Sequence, residues 1–469
     1  MTNSITVIIF GFTGDLTKRK LIPALYALFC DNKIPFFTLI GVGLEEKNTQ
    51  DILDGALPFI DTFSEHTWNL FCARTFYTKH NILKNQDAQS FASFIKSKED
   101  ATTSTNRLVY MAVGAQLFEP LTVQLVVSGI LEKRNTKNDF WHRIVYEKPF
   151  GTDRASAHAI NLALSGLLYE EQIFRIDHYL TKELVSNISL IRFTNCIFEP
   201  LWNNKYIEQI HIILNETIDI ENRGYYYDQF GALKDVVQNH MLQMLALITM
   251  EAPESLLGDA IRNKRAALLE QVYFVDGIRG QYAGYLNENG VMQNSQTETY
   301  ALLELAIKNN RWEGVPFFFS TGKALASKEV AIHVFFKPVD CLLEEKCSII
   351  GPTMEPNVLT FKIAPEEFFS LQLNVKKPGT ADMVMPVRMN LSHDCFFALR
   401  QSHAYEVLIE EVIKGEQASS VRFDEIESAW RIIDQIEQKN IPLSVYQKGS
   451  DGPDIRIPFI KKHKMRLLS

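Results

Sequence analysis

The sequence predicts an α/β domain with a mostly parallel, doubly wound sheet, followed by an α+β domain. Three observations carry this reading. A β-branched apolar run, Thr6 to Phe10, passes at once into a turn with two glycines and then into a helical pattern from Leu16 to Leu28. Strand-like and helical patterns alternate up to about residue 175, as they do where parallel strands are joined by helices. Beyond that point strands dominate, and several alternate apolar with polar, as half-buried antiparallel strands should. A chain of 469 residues exceeds one ordinary core, and the change of pattern divides it into 1–175 and 176–469.

Composition narrows the classes. With 46% apolar and 22% charged residues and no low-complexity tract, the chain reads as a soluble globular protein. A formal charge of −8 without any basic run argues against a nucleic-acid partner. No apolar stretch approaches the roughly 18 residues of a membrane span. The first apolar segment, Ile5 to Phe10, has no basic region before it and no cleavage pattern after it, so it reads as a strand and not as a signal peptide. The six cysteines are irregularly spaced and include no Cys-x-x-Cys. Neither a disulfide framework nor a bound metal is expected, and a reducing cytoplasm is the expected setting.

In chain order, the first turn is Gly11-Phe12-Thr13-Gly14-Asp15-Leu16. Glycines here let a backbone approach a pyrophosphate, which then rests on the helix N-terminus. Two glycines in such a turn also arise from geometry alone. Further strands are expected at Phe36 to Val42 and Leu108 to Val113, and a third from Ile144 ends in the turn Glu147-Lys148-Pro149-Phe150-Gly151. Then comes Arg175-Ile-Asp177-His178-Tyr179-Leu-Thr181-Lys182-Glu183, in which six of nine side chains are ionisable. A helix beginning near Asp177 would set Tyr179 and Lys182 on one face. Imidazole, phenol, ammonium and a positive helix end together suit a phosphate. The alternative is a well-capped amphipathic helix with a solvated start.

In the second half, strands are expected at Ile207 to Leu214, Ala331 to Phe336, Val358 to Ile363, Phe368 to Val375 and Met383 to Leu391. Helical patterns cover Gln238 to Met250, Thr297 to Lys308 and Ala404 to Lys414. The string Tyr225 to His240 ends Lys234-Asp235-Val-Val-Gln-Asn-His240, where a histidine is by itself an ordinary polar helix residue. Thr321-Gly322-Lys323 hints at a nucleotide P-loop, but Phe317 and Ala324 stand where that motif needs Gly and Ser or Thr.

These strings resemble the glucose-6-phosphate dehydrogenase family. Arg175 to Glu183 departs from that family's Arg-Ile-Asp-His-Tyr-Leu-Gly-Lys-Glu only at Thr181. Gly11 to Tyr26, Glu147 to Gly151, Tyr225 to His240, Arg311 to Lys323, Val421 to Trp430 and Tyr446 to Pro453 are similar to further family motifs, so the likeness runs through nearly the whole chain. The resemblance implies a Rossmann-like dinucleotide-binding domain, then an α+β domain with a large, mainly antiparallel sheet that carries substrate contacts and a dimer interface. It implies oxidation of glucose 6-phosphate at C1 to 6-phosphogluconolactone, the entry step of the pentose phosphate pathway, in a homo-oligomer (dimer or tetramer). His240 is then the base and Asp177 its orienting carboxylate. His178, Tyr179 and Lys182 hold the phosphate with Lys323 and Lys328, Glu216 and Asp235 accept from sugar hydroxyls, and Lys148 bridges the two ligands. Gly11, Phe12, Thr13, Gly14, Asp15 and Leu16 hold the cofactor with Lys148. NADP is the implied cofactor. NAD stays open, because Leu44-Glu45 replaces the family's Arg, and an acid near the end of the second strand suits a ribose 2′-hydroxyl. Gly114-Ala115 replaces the family's Pro-Pro pair. Two other readings remain: a non-catalytic sugar-phosphate sensor or scaffold, and a dehydrogenase for another phosphosugar.

Overall fold

The computed structural model describes residues 4–99, 106–134, 140–338, 355–380, 384–392 and 404–467. The chain forms two compact units. The first comprises Met1–Lys182 with two later segments, Glu254–Arg262 and Gln401–Glu427; the second comprises Glu183–Pro253, Asn263–Arg400 and Ser428–Ser469.

The first unit holds a six-stranded sheet in the order β3-β2-β1-β4-β5-β6, parallel throughout. Its strands are β1 (Ile5–Phe10), β2 (Phe37–Gly43), β3 (Thr75–Lys79), β4 (Asn106–Met111), β5 (His142–Tyr146) and β6 (Ile173–Arg175). Successive side chains of a strand point to opposite faces. In β1, Val7 and Ile9 enter one core with Leu25 and Leu39, while Ile8 and Phe10 enter another with Phe91 and Leu125. Burial on both faces explains why β1 reads as one apolar run with no alternation. The order reverses between β1 and β4, and ligands bind at such a switch point, beyond the carboxyl ends of the strands.

The later segment completes this unit. Helix Ala404–Lys414 places Leu408, Ile409 and Val412 in the same core as Val7. Arg143 on β5 donates to the Val412 and Ile413 carbonyls at 2.6 and 2.7 Å, satisfying the end of that helix. The chain then runs along β6, where the Val421 N–H donates to the Arg175 carbonyl at 3.0 Å and Ile176 bridges Ser420.

The second unit is built on a nine-stranded sheet in the order β14-β13-β12-β11-β7-β10-β9-β8-β15. The strands are β7 (Ile207–Asn215), β8 (Val272–Tyr282), β9 (Tyr300–Ile307), β10 (Phe317–Gly322), β11 (Glu329–Phe336), β12 (Val358–Ala364), β13 (Phe368–Lys376), β14 (Val384–Ser392) and β15 (Leu443–Tyr446). All neighbours are antiparallel except β7 with β10 and β8 with β15. The helix expected over Thr297 to Lys308 is corrected: Tyr300–Ile307 is strand β9, inside the sheet between β10 and β8. Its Ala, Leu and Glu favour helix, but burial on both faces erases the alternation that would reveal a strand, and the sheet overrides propensity. Of the expected strand Met383 to Leu391, Met383 lies outside the described residues.

Candidate active site

The glycine turn follows β1. Gly11 has φ +77°, and a Cβ there would come within 2.2 Å of the Ala112 carbonyl oxygen, so only glycine fits. The Gly14 N–H donates to the Gly11 carbonyl at 2.9 Å, as does the Thr17 hydroxyl at 3.1 Å. The chain enters a wide helical turn at Thr17–Leu21 and an α-helix at Ile22–Cys30. Phe12 is fully buried, with its ring over Gly41, where a Cβ would stand 2.1 Å from it; it shapes the turn by packing. Asp15 is exposed and faces Arg19 at 3.4 Å. A glycine turn at a helix start, at the switch point of a parallel sheet, fits a dinucleotide pyrophosphate. A cleft of about 530 Å3 opens beside it, bordered by Thr13, Lys18, Lys47 and Asn48.

Lys148 follows β5, and Lys148–Pro149 is cis. Beneath it Glu147 accepts from the Tyr110 hydroxyl at 2.5 Å and also bonds Tyr405. Burial pushes the Glu147 carboxyl up, and the tyrosine bonds work against that. This half-buried brace of the Lys148 turn is not evident from the sequence alone.

The expected helix start near Asp177 is corrected. The helix begins at Glu183, and Asp177 to Lys182 form tight turns. Asp177, 2% exposed, accepts from the Tyr179 N–H at 2.9 Å through its own carboxylate, an Asx turn that competes with helix formation. The Thr181 hydroxyl donates to the His178 carbonyl at 3.0 Å. The His178 and Tyr179 rings lie 4.9 Å apart, and the Lys182 ammonium stands 4.7 Å from the Tyr179 ring centre. Imidazole, phenol and ammonium therefore share one loop, gathered by turns instead of by helical spacing.

In the second unit, Leu233–Met241 winds as a π-helix before an α-helix at Leu242–Thr249. Such a helix closes its bonds i→i+5 and so brings residues four and five apart to neighbouring places on successive turns. Asp235 and His240 have the latter spacing, and both are buried. The Tyr226 hydroxyl donates to Asp235 at 3.2 Å; burial first, then the Asp235 charge, pushes the Tyr226 phenol up. At the end of β10, Lys323 is buried, pairs with Glu216 just beyond β7, and lies 5.7 Å from the Tyr227 ring centre. Lys328 is exposed in the connection from β10 to β11.

Glu298 was missed. It accepts from the Leu233 N–H at 3.0 Å and faces Arg279 at 3.4 Å, so it holds the start of the wide helix. Gly231, at φ +62°, leaves room for it: a Cβ there would stand 2.4 Å from its carboxylate. The usable signal was a lone glutamate just ahead of a buried strand, hidden by the helical reading of Thr297 to Lys308.

Residues 8–187 match the family described as glucose-6-phosphate dehydrogenase, NAD binding domain, and residues 189–467 match its C-terminal domain. The chain belongs to the glucose-6-phosphate dehydrogenase family. It is similar to a glucose-6-phosphate 1-dehydrogenase of Bacillus subtilis, with 36% identity over 95% of this chain and 94% of the relative. A chloroplastic glucose-6-phosphate 1-dehydrogenase of Spinacia oleracea is 34% identical over 99% of this chain and 84% of its own. Among solved structures, a glucose-6-phosphate dehydrogenase in complex with glucose 6-phosphate has a TM-score of 0.90 at 29% identity, covering 100% of this chain and 99% of that one. The enzyme from Mycobacterium avium has a TM-score of 0.85 at 31% identity, covering 99% of both chains.

Proposed function

We propose that this chain oxidises glucose 6-phosphate at C1 to 6-phosphogluconolactone and passes the hydride to NADP. The observation that carries this is the match of both domains of one dehydrogenase family, end to end, in a chain that keeps the expected base His240, its orienting acid Asp177 and the phosphate-site cations Lys182 and Lys323. NADP supplies the hydride acceptor, held by Gly11 to Leu16 and Lys148. His240 takes the proton of the C1 hydroxyl, a task suited to a neutral imidazole, and Asp177 orients it and steadies the imidazolium. His178, Tyr179 and Lys182, with Lys323 and Lys328, hold the phosphate dianion, and their binding energy orients C1. Glu216 and Asp235 accept from sugar hydroxyls. Residues 1–175 serve as the cofactor-binding domain, and 176–469 as the substrate-binding and oligomerisation domain.

The test is reduction of NADP by the purified chain, followed by the absorbance of the reduced nicotinamide. Glucose 6-phosphate should drive it and an epimeric hexose 6-phosphate should not. Sugar-phosphate binding without turnover would favour the sensing role, and faster turnover of the epimer would favour another phosphosugar.

The functional form is a homodimer or a larger oligomer of this chain. Edge strand β14 supports this, because Met385, Val387, Met389 and Leu391 are exposed at every second position and so line one face. A cytoplasmic setting fits Cys30, Cys72 and Cys196, which are free thiols. No helix among the described residues is long and apolar enough to cross a membrane.

A further inference from the structure

Two lysines border the cleft beside the glycine turn. In a sheet of this kind the adenosine ribose of a dinucleotide lies near the end of the second strand. β2 ends at Gly43, and the next residue, Leu44, is 67% exposed and brings no charge. We propose that Lys47, helped by Lys18, anchors the adenosine 2′-phosphate in this chain, and that Glu45 competes with that phosphate for Lys47. This rests on the reading of the first unit as the NADP-binding part of a dehydrogenase.

Lys47 and Glu45 meet at 2.8 Å with side chains 47% and 57% exposed. A pair this exposed is weak, so a phosphate dianion can take the ammonium from the carboxylate. Lys18 reaches the same cleft from the helix after the glycine turn, and its stem passes Gly55, where a Cβ would crowd it at 3.2 Å. The loop between them is fixed. The Tyr77 hydroxyl donates to the Glu45 carbonyl at 2.6 Å, Glu46 is held by Lys79 at 2.9 Å, and Asn48 caps the following helix through the Gln50 N–H. The Lys47 bond and charge hold the Glu45 carboxyl below its ordinary range, so it is an anion at neutral pH. Glu46 and Asp51 also border the cleft, so ammoniums and carboxylates balance there and the grip on phosphate is moderate. When the ribose is unphosphorylated, Glu45 is placed to accept from its 2′-hydroxyl. One ion pair thus serves both dinucleotides, each through a different partner.

The experiment is calorimetric titration of the full chain with adenosine 2′,5′-bisphosphate and with AMP, no sugar phosphate present. Wild type should prefer the bisphosphate by about three- to thirtyfold. A charge-assisted bond is worth roughly ten- to a hundredfold in affinity. Lys47→Ala should therefore weaken the bisphosphate at least tenfold and AMP less than threefold, with Lys47→Arg restoring the preference. Glu45→Gln should tighten the bisphosphate severalfold. Equal weakening of both nucleotides, or a change under threefold for the bisphosphate in Lys47→Ala, would overturn the assignment. Failure of wild type to bind either nucleotide would overturn the cofactor reading with it. Turnover of glucose 6-phosphate is read separately, so the two failures stay distinct.

Discussion

His240 is carried by a helix whose bonds close over five residues, a geometry that recurs at functional sites. His240→Asn keeps the side chain's approximate shape and removes the base. Turnover should fall by about 10²–10⁴-fold with little change in sugar-phosphate affinity; steady-state kinetics showing less than a tenfold loss would exclude the role. Lys182 is read as a phosphate contact, so Lys182→Ala should weaken glucose 6-phosphate by roughly ten- to a hundredfold. Equilibrium binding of unphosphorylated glucose should not move; if it weakens equally, the phosphate role fails. These residues were legible because their chemistry is packed into short strings such as Asp177 to Lys182. Glu147 and Glu298 were less so. Each is one acid that acts from beneath, through a turn or a backbone N–H, and its meaning comes only from burial and from partners far along the chain.

Strands and helices differ in how much of themselves they betray. The helix Ala404–Lys414 matches the expected bounds, because one face is apolar and the other charged. β9 does not, because a strand buried on both sides carries no period to read. The loop after β4 is a milder case: Gly114 has φ −62°, the value a proline ring fixes, and an extended ψ of 146°, although the family's prolines are missing. A Cβ at Gly114 would stand 2.6 Å from the Gln116 side-chain oxygen, so Gly114→Pro needs that flexible side chain to swing aside. With that, it should raise stability by about 0.4–1 kcal/mol through the unfolded chain, measured by chemical denaturation, and a loss would mean that Gln116 does not yield or that the loop uses the N–H. On Ala404–Lys414, burial pushes the Glu411 carboxyl up to about 6. A folded-state value above the unfolded one gives stability that is full below the unfolded value and is lost as pH rises through the folded one. Glu411→Gln should therefore stabilise the protein at pH 7.5 by up to about 2 kcal/mol and make no difference near pH 4, as thermal melts at the two pH values would reveal.

At the scale of the molecule, the apolar row on β14 gives the oligomer its test. Met389→Lys should shift the sedimentation of the full chain toward the monomer mass; unchanged mass would move the interface elsewhere. The composition of the two compact units was less open to view. The change from alternating to strand-rich patterns marks a turning point near residue 175, but nothing local says that Gln401–Glu427 returns to the first unit, since the contacts that decide this span more than 200 residues. That return has a price in time during synthesis. When the ribosome has made all six strands of the first sheet, the core still lacks Leu408, Ile409 and Val412. At about 5–20 residues per second these arrive on the order of ten to fifty seconds later. For that interval the nascent nucleotide-binding half carries an open apolar seam, which makes it a natural client for chaperones and a poor candidate for expression as an isolated N-terminal fragment.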